Sequence, residues 1–173
     1  MDVITSTHHP AAARVLVVAD WALDPYGVVA ACRRRAATDP HVTFALVVPA
    51  WLHGIDWAGD PYASRPCAAR QLETLERLAS HAGLEVAVAE VGDPDPTSAI
   101  EDVRAGFLPS EVMLFTRPRR LRHPFDVVSR IRRASRLPVH AVAVRATPRN
   151  GEHHGWSALR SGGHCAHELR HAA

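Results

Sequence analysis

Three observations predict that this chain is an α/β protein with a doubly wound, five-stranded parallel sheet. Short apolar runs alternate with segments of helical periodicity along the chain. The first run, RVLVVAD at residues 14–20, is apolar without alternation, which is typical of a strand buried on both faces of a parallel sheet. Two helical segments open with Asp-Pro, at Asp24 and Asp95, and these residues are favoured at the cap and first position of a helix. This order of elements is that of a doubly wound sheet.

The predicted elements account for most of the chain. The strands are predicted at residues 14–20, 42–48, 84–91, 112–115 and 139–144. The helices are predicted at residues 24–37, 65–82 and 95–107, and in the stretch that follows Pro124. We therefore assign residues 1–13 to a flexible lead-in, residues 14–146 to one α/β domain, and residues 147–173 to a disordered tail rich in histidine and arginine.

Length and composition point to a cytoplasmic protein. A chain of 173 residues suits one domain with its own core. No apolar run approaches the roughly 20 residues of a membrane-spanning helix, and the first residues lack the basic and apolar segments of a secretory signal. Three widely spaced cysteines, Cys32, Cys67 and Cys165, argue against a disulfide framework and for a reducing compartment.

Charge is distributed unevenly along the chain. All 20 basic residues are arginine. Residues 1–110 hold 8 arginines and 14 acidic residues, whereas residues 111–173 hold 12 arginines and 4 acidic residues. Such a basic segment is either a solvated surface or a site for an anionic partner.

The clearest candidate site follows the fourth predicted strand. The sequence VMLF at residues 112–115 leads into TRPRRLRH at residues 116–123, and a helix is predicted directly after this loop. Open α/β sheets bind ligands where strand carboxyl ends and helix amino ends meet. Guanidinium groups suit phosphate well. The candidate anion-binding residues of this loop are Arg117, Arg119, Arg120 and Arg122.

With these elements placed, the chain resembles the universal stress protein family from about residue 14 to residue 144. The segments that carry the resemblance are RVLVVAD at residues 14–20, GDP at residues 92–94, EVMLFTRP at residues 111–118 and RLPVHAVAV at residues 136–144. The resemblance implies a non-enzymatic sensor or adaptor in stress or dormancy responses. It also implies a homodimer formed through the last strand, with a protein partner that the sequence does not identify.

The resemblance fails at the phosphate loop. ATP-binding members of the family carry Gly-x2-Gly-x9-Gly-Ser/Thr after the fourth strand, but here Phe115 and Pro118 stand at the first two glycine positions. Phe125-Asp126 stands at the Gly-Ser position. Proline removes a backbone donor, and a carboxylate in the first turn of a helix occupies the place that favours phosphate. We therefore expect ATP binding to be lost or altered, and no cofactor.

Two alternatives to this interpretation stay open. One is a universal stress protein that still binds ATP or another adenine nucleotide through arginine side chains; the resemblance then implies Asp20, Val48, Thr116 and Arg117 as its contacts. The other is an anion- or RNA-binding module that uses the basic region from Arg117 to Arg136, although its few aromatic residues offer no stacking platform for bases.

Neither catalysis nor metal binding is predicted. The chain shows no triad order and no paired carboxylates at catalytic spacing. The tail is rich in histidine, but its spacing matches no structural zinc pattern. We predict no catalytic residue and no metal ligand.

Overall fold

Five strands alternate with four helices in the computed structural model, which describes residues 12–51, 63–118 and 127–147. The strands are β1 (Arg14–Ala19), β2 (Thr43–Pro49), β3 (Glu85–Gly92), β4 (Glu111–Thr116) and β5 (Val139–Ala143). The helices are α1 (Pro25–Ala36), α2 (Arg65–His81), α3 (Pro96–Phe107) and α4 (Val127–Ala134). All neighbouring strands are parallel, and their order in the sheet is β3-β2-β1-β4-β5.

This architecture confirms the predicted fold class. Every predicted strand and helix within the described residues is present, with ends that differ by at most one residue from the predicted bounds. The start predicted for α4, just after Pro124, lies outside the described residues. So do the lead-in up to residue 11, most of the connection between β2 and α2, and the tail from residue 148.

The core consists of one apolar layer on each face of the sheet. Side chains of β1 alternate between the two layers, and those of residues 15–19 are fully buried. Helices α1 and α2 cover one face, where Cys32, Leu72 and Leu75 pack against the sheet. Helices α3 and α4 cover the other face, where Ile100 and Ile131 are buried. Burial on both faces explains why β1 is apolar without alternation.

Aspartate caps fix the starts of two helices. The Asp24 side chain accepts a hydrogen bond from the backbone N–H of Tyr26 at the start of α1. The Asp95 side chain accepts one from the N–H of Thr97 at the start of α3. Proline follows each cap, as predicted, and a cap of this kind stabilises a helix by about 1 kcal/mol.

The cysteine prediction needs a correction. Cys32 is free and buried on the inner face of α1, and burial raises the pKa of its thiol from 9.0 to about 12. Cys67 is disulfide-bonded. An odd number of widely spaced cysteines does not exclude a single disulfide bond, so the cysteine argument for a reducing compartment loses its basis.

Within the described residues, no helix is long and apolar enough to cross a membrane.

Gly92 has a packing role at the end of β3. A Cβ atom at this position would lie 2.6 Å from the Cβ of Ala99 and 2.9 Å from Cγ1 of Val47. The glycine therefore lets α3 approach the sheet closely. The GDP segment that supports the family resemblance thus has a structural explanation.

We expect Gly92→Ala to lower the free energy of unfolding by about 1–3 kcal/mol, because the short side chains around it cannot move away. Urea denaturation measures this change. Gly106→Ala in α3 is the matched control, since a Cβ there meets nothing within 4 Å. The control should raise the stability by up to about 1 kcal/mol through helix propensity. Equal effects of the two substitutions would contradict the packing argument.

Asp39 joins the chain before β1 to the loop before β2. Its carboxylate accepts hydrogen bonds from the backbone N–H groups of Ala13 and His41, each at 3.1 Å. The bond from Ala13, more than any other contact, holds the pKa of Asp39 below its usual 3.8. The charged form is therefore preferred in the folded state.

A carboxyl group with a lowered folded-state pKa stabilises the fold above its unfolded pKa, and loses that contribution as pH falls through the folded pKa. We expect Asp39→Asn to be less stable than the parent at neutral pH, with a difference that shrinks below about pH 4. Urea denaturation over a pH series tests this. The control is the same series with Asp102→Asn, an exposed residue of α3. A difference that stays constant down to pH 2.5 (about 1.5 units below the reference value) would refute the role of the charge.

Candidate ligand site at the strand ends

The candidate site lies where β1 and β4 end side by side. The parallel register pairs Ala19 with Phe115, so Asp20 and Thr116 are the next residues along the two strands. The chain leaves β1 towards α1 on one face of the sheet and leaves β4 towards α4 on the other. This divergence is the topological switch point, where open α/β sheets form a ligand crevice.

Asp20 is buried at this crevice and is already engaged by the protein. Its Oδ1 accepts a hydrogen bond of 2.9 Å from the backbone N–H of Ala22, which fixes the turn after β1. Its Oδ2 lies 3.9 Å from Nε of Arg117, the second loop residue predicted to contact a ligand. The side chain of Arg117 is 43% exposed, so this ion pair stabilises the fold by less than about 1 kcal/mol.

The other predicted site residues divide into three groups. Thr116 is half-buried at the end of β4, where its carbonyl accepts a hydrogen bond from the N–H of Val144. The side chain of Val48 is fully buried in the layer under α1 and α2, so only its backbone is available for a ligand contact. Arg119, Arg120 and Arg122 lie outside the described residues.

Phe115 belongs to the strand and not to the loop. It pairs with Ala19 of β1 and Val142 of β5, and its side chain is fully buried. A glycine at this position would leave a hole in the core instead of a free backbone for phosphate. Pro118, at the second glycine position, is exposed and has no N–H to donate.

Two tryptophans that the sequence argument did not assign to the site border the crevice. Trp21 follows Asp20 directly, and its indole N–H donates to the carbonyl of Trp51 at 2.8 Å. Both residues are half-buried. The position of Trp21 immediately after the strand-end aspartate was the only signal for this contact, and nothing in the sequence paired it with residue 51.

A short segment after β5, residues 144–147, crosses the strand ends. Ala146 forms an antiparallel bridge with Leu23 in the turn before α1. The carbonyl of Arg145 accepts a hydrogen bond of 2.9 Å from the N–H of Asp24. We call residues 144–147 the strap, because they tie the end of β5 to the turn that follows Asp20.

Buried polar contacts and close packing hold the strap in place. The carbonyl of Leu23 accepts two hydrogen bonds, one of 2.8 Å from Nε2 of Gln71 in α2 and one of 3.0 Å from Oγ1 of Thr147. A Cβ atom on Gly27 would lie only 2.8 Å from Cγ1 of Val144, so α1 approaches the strap closely. The strap therefore fixes the position of the β1–α1 turn.

The fold matches known structures. A universal stress protein from Archaeoglobus fulgidus superposes with a TM-score of 0.54 at 15% identity, covering 77% of this chain and 93% of that protein. The chain has the universal stress protein fold. The family resemblance read from the sequence is thereby confirmed at the level of the fold.

Further solved structures are similar at lower scores. A protein of the universal stress protein family from Burkholderia pseudomallei shares 20% identity, with 75% of this chain and 95% of that chain covered and a TM-score of 0.49. A universal stress protein in complex with cAMP shares 16% identity, with 76% and 97% covered and a TM-score of 0.48. No protein-family model and no curated protein matches the sequence.

The described part of the site contains polar groups that suit ligand binding. Asp20 offers a carboxylate, Arg117 a guanidinium and Thr116 a backbone carbonyl and a hydroxyl. Within the described residues, no three histidine, cysteine or acidic side chains are close enough to hold a metal ion. The universal stress protein fold therefore presents here a polar crevice in which the Arg117 guanidinium lies near the Asp20 carboxylate.

Gln71 and Thr147 both donate to the carbonyl of Leu23. We therefore expect that the losses of unfolding free energy caused by substituting these two residues are not additive. Gln71→Met and Thr147→Val should each lower the free energy of unfolding by about 1 kcal/mol, since the carbonyl of Leu23 keeps one partner. The double variant should lose about 1 kcal/mol more than the sum, because a buried acceptor is then unsatisfied. Urea denaturation followed by tryptophan fluorescence measures all three.

Ser135→Ala is the control for this cycle. Its hydroxyl accepts a hydrogen bond from the N–H of Leu137 after α4, on the opposite face of the sheet from α2. Combined with Gln71→Met it should give an additive loss. An additive result for the Gln71 and Thr147 pair would mean that the two donors do not depend on the same carbonyl.

Proposed function

We propose that this protein is a non-catalytic sensor or adaptor of the universal stress protein type, in which the strand-end crevice no longer binds ATP. The observation that carries the proposal is that two residues of the former phosphate loop are already engaged by the protein. The residue at the first glycine position, Phe115, is buried in β4, and the described arginine of the loop, Arg117, is within 4 Å of a buried carboxylate. The role in stress responses rests on the fold.

The energetics of the crevice support weak anion binding at most. A triphosphate approaching Arg117 would also approach the Asp20 carboxylate, and like charges at such distances repel. Glycine-rich loops avoid this problem because several backbone N–H groups contact the phosphates directly. Here Pro118 supplies no such donor. Trp21 and Trp51 give the crevice apolar surface. A crevice that does not bind ATP therefore suits a ligand with less negative charge.

An ATP titration tests the proposal. We expect no saturable binding of Mg-ATP up to about 1 mM, the level at which binding is worth only about 4 kcal/mol, by calorimetry or by the change in tryptophan fluorescence. We also expect no ADP to form in the same samples. Asp20→Asn should bind ATP more strongly than the parent, because it removes the carboxylate that repels phosphate and holds Arg117.

The result that would contradict the proposal is micromolar binding of ATP by the parent protein. Arg117→Ala then tests whether this arginine binds the ATP. A tenfold loss of ATP affinity would establish an arginine-based phosphate loop. Arg104→Ala is the matched control, since this arginine is partly exposed and paired with Glu101 on α3, away from the crevice. It should leave ATP binding unchanged.

A further inference from the structure

Cys67 is joined to a second cysteine by a disulfide bond. The chain contains three cysteines. Cys32 is free and packs on the inner face of α1, so the partner of Cys67 within the chain is Cys165. Cys165 itself lies outside the described residues.

The position of Cys67 favours thiol–disulfide exchange. It lies in the first turn of α2, which follows β2 and therefore begins at the same end of the sheet as the crevice. The helix dipole favours a negative charge in this turn, so it stabilises the thiolate that takes part in exchange. Burial raises the pKa of the Cys32 thiol to about 12, which keeps Cys32 protonated and unreactive near neutral pH.

The strap ends close to Cys67. Gln71 follows Cys67 by four residues, so the two side chains lie on the same face of α2 with their Cβ atoms about 5–6 Å apart. Nε2 of Gln71 donates to the carbonyl of Leu23 at 2.8 Å. Oγ1 of Thr147, the last described residue, donates to the same carbonyl at 3.0 Å. The C-terminal segment therefore starts beside the first turn of α2.

The remaining chain is long enough to return to Cys67. Cys165 follows Thr147 by 18 residues, which span about 60 Å when fully extended. A bond between Cys165 and Cys67 therefore requires no displacement of the strap or of α2. It closes a covalent loop whose two ends both lie near the turn between β1 and α1.

We propose that Cys67 and Cys165 form a reversible disulfide bond that fastens the C-terminal segment and the strap beside the crevice under oxidising conditions. When the bond opens, the strap keeps its hydrogen bonds to the turn after β1 but loses its covalent tie to α2. The redox state of the surroundings is thereby coupled to the turn that borders the crevice. This regulation does not depend on which ligand the crevice binds.

A small-molecule disulfide, glutathione disulfide, is the oxidant that closes the bond. One cysteine thiolate attacks a sulfur of glutathione disulfide, forms a mixed disulfide and releases one glutathione thiolate. The second cysteine thiolate then attacks the protein sulfur of the mixed disulfide and releases the second glutathione thiolate. Two protein thiols are thus oxidised to one disulfide, one glutathione disulfide is reduced to two thiols, and the two protons pass to the released thiolates. Reduced glutathione reverses both steps.

Equilibration of the full chain with mixtures of reduced and oxidised glutathione tests the bond. Free thiols are trapped in the native state with N-ethylmaleimide and then, after denaturation, with iodoacetamide. Mass spectrometry of the non-reduced tryptic digest should show one transition, in which the peptide that contains Cys67 becomes linked to residues 161–170, the peptide that contains Cys165. Cys32 is the internal control and should carry the iodoacetamide label in every mixture.

Three results of this titration would overturn the proposal. A bond that survives in reduced glutathione alone would be a permanent structural crosslink. Free thiols at both positions in oxidised glutathione alone would mean that no bond forms. A covalent dimer on non-reducing gels would mean that Cys165 of one copy bonds to Cys67 of another.

Amide hydrogen exchange tests the coupling of the bond to the strap. The N–H of Asp24 donates to the carbonyl of Arg145. The N–H of Thr147 donates to the carbonyl of Ala22. Both amides should exchange about tenfold more slowly in the oxidised protein, because the covalent tie restricts the opened strap. The N–H of Leu108 at the end of α3, on the other face of the sheet, is the control and should not change.

Cysteine variants show whether the bond causes this difference in exchange. Cys67→Ser and Cys165→Ser should each abolish the redox difference at Asp24 and Thr147, and the double variant should behave like either single one. Cys32→Ala should keep the difference. Equal exchange in the oxidised and reduced parent protein, or a redox difference that persists without Cys67 or Cys165, would overturn the proposal.

Discussion

The complete burial of β1 is the constraint on which this structure depends. Its side chains enter both apolar layers, so helices must cover both faces of the sheet, and β2 and β4 must pair with its two edges. The chain therefore has to leave β1 on one face and β4 on the other. That divergence creates the crevice at Asp20 and Thr116, and it exists whether or not a nucleotide is bound.

The strap connects this crevice to the edge of the sheet. Residues 144–147 continue directly from β5 and hydrogen-bond to the turn after Asp20. In that turn the carbonyl of Leu23 also accepts a hydrogen bond from the side chain of Gln71 in α2. The crevice and β5 therefore belong to one hydrogen-bonded unit.

Much of the fold could be predicted because its signals are local. Apolar runs marked the strands, and Asp24 and Asp95 marked two helix starts through their side-chain caps. The site was predictable only in outline. The aspartate at the end of β1 and the loop after β4 follow from topology, but the contact between Asp20 and Arg117 joins residues far apart in the sequence, which no periodicity records. The strap was missed because its sequence, VRAT after a strand, has no apolar periodicity. The bond at Cys67 was missed because cysteine spacing alone does not define pairing.

Native mass spectrometry of the gently purified protein tests the central claim most directly, because it reads the oligomer mass and any retained ligand together. The burial of Phe115 in β4 and the Asp20–Arg117 pair predict that the protein carries no adenine nucleotide. A protein that retains ATP would contradict the account, because it would show that arginine side chains replace the glycine-rich loop.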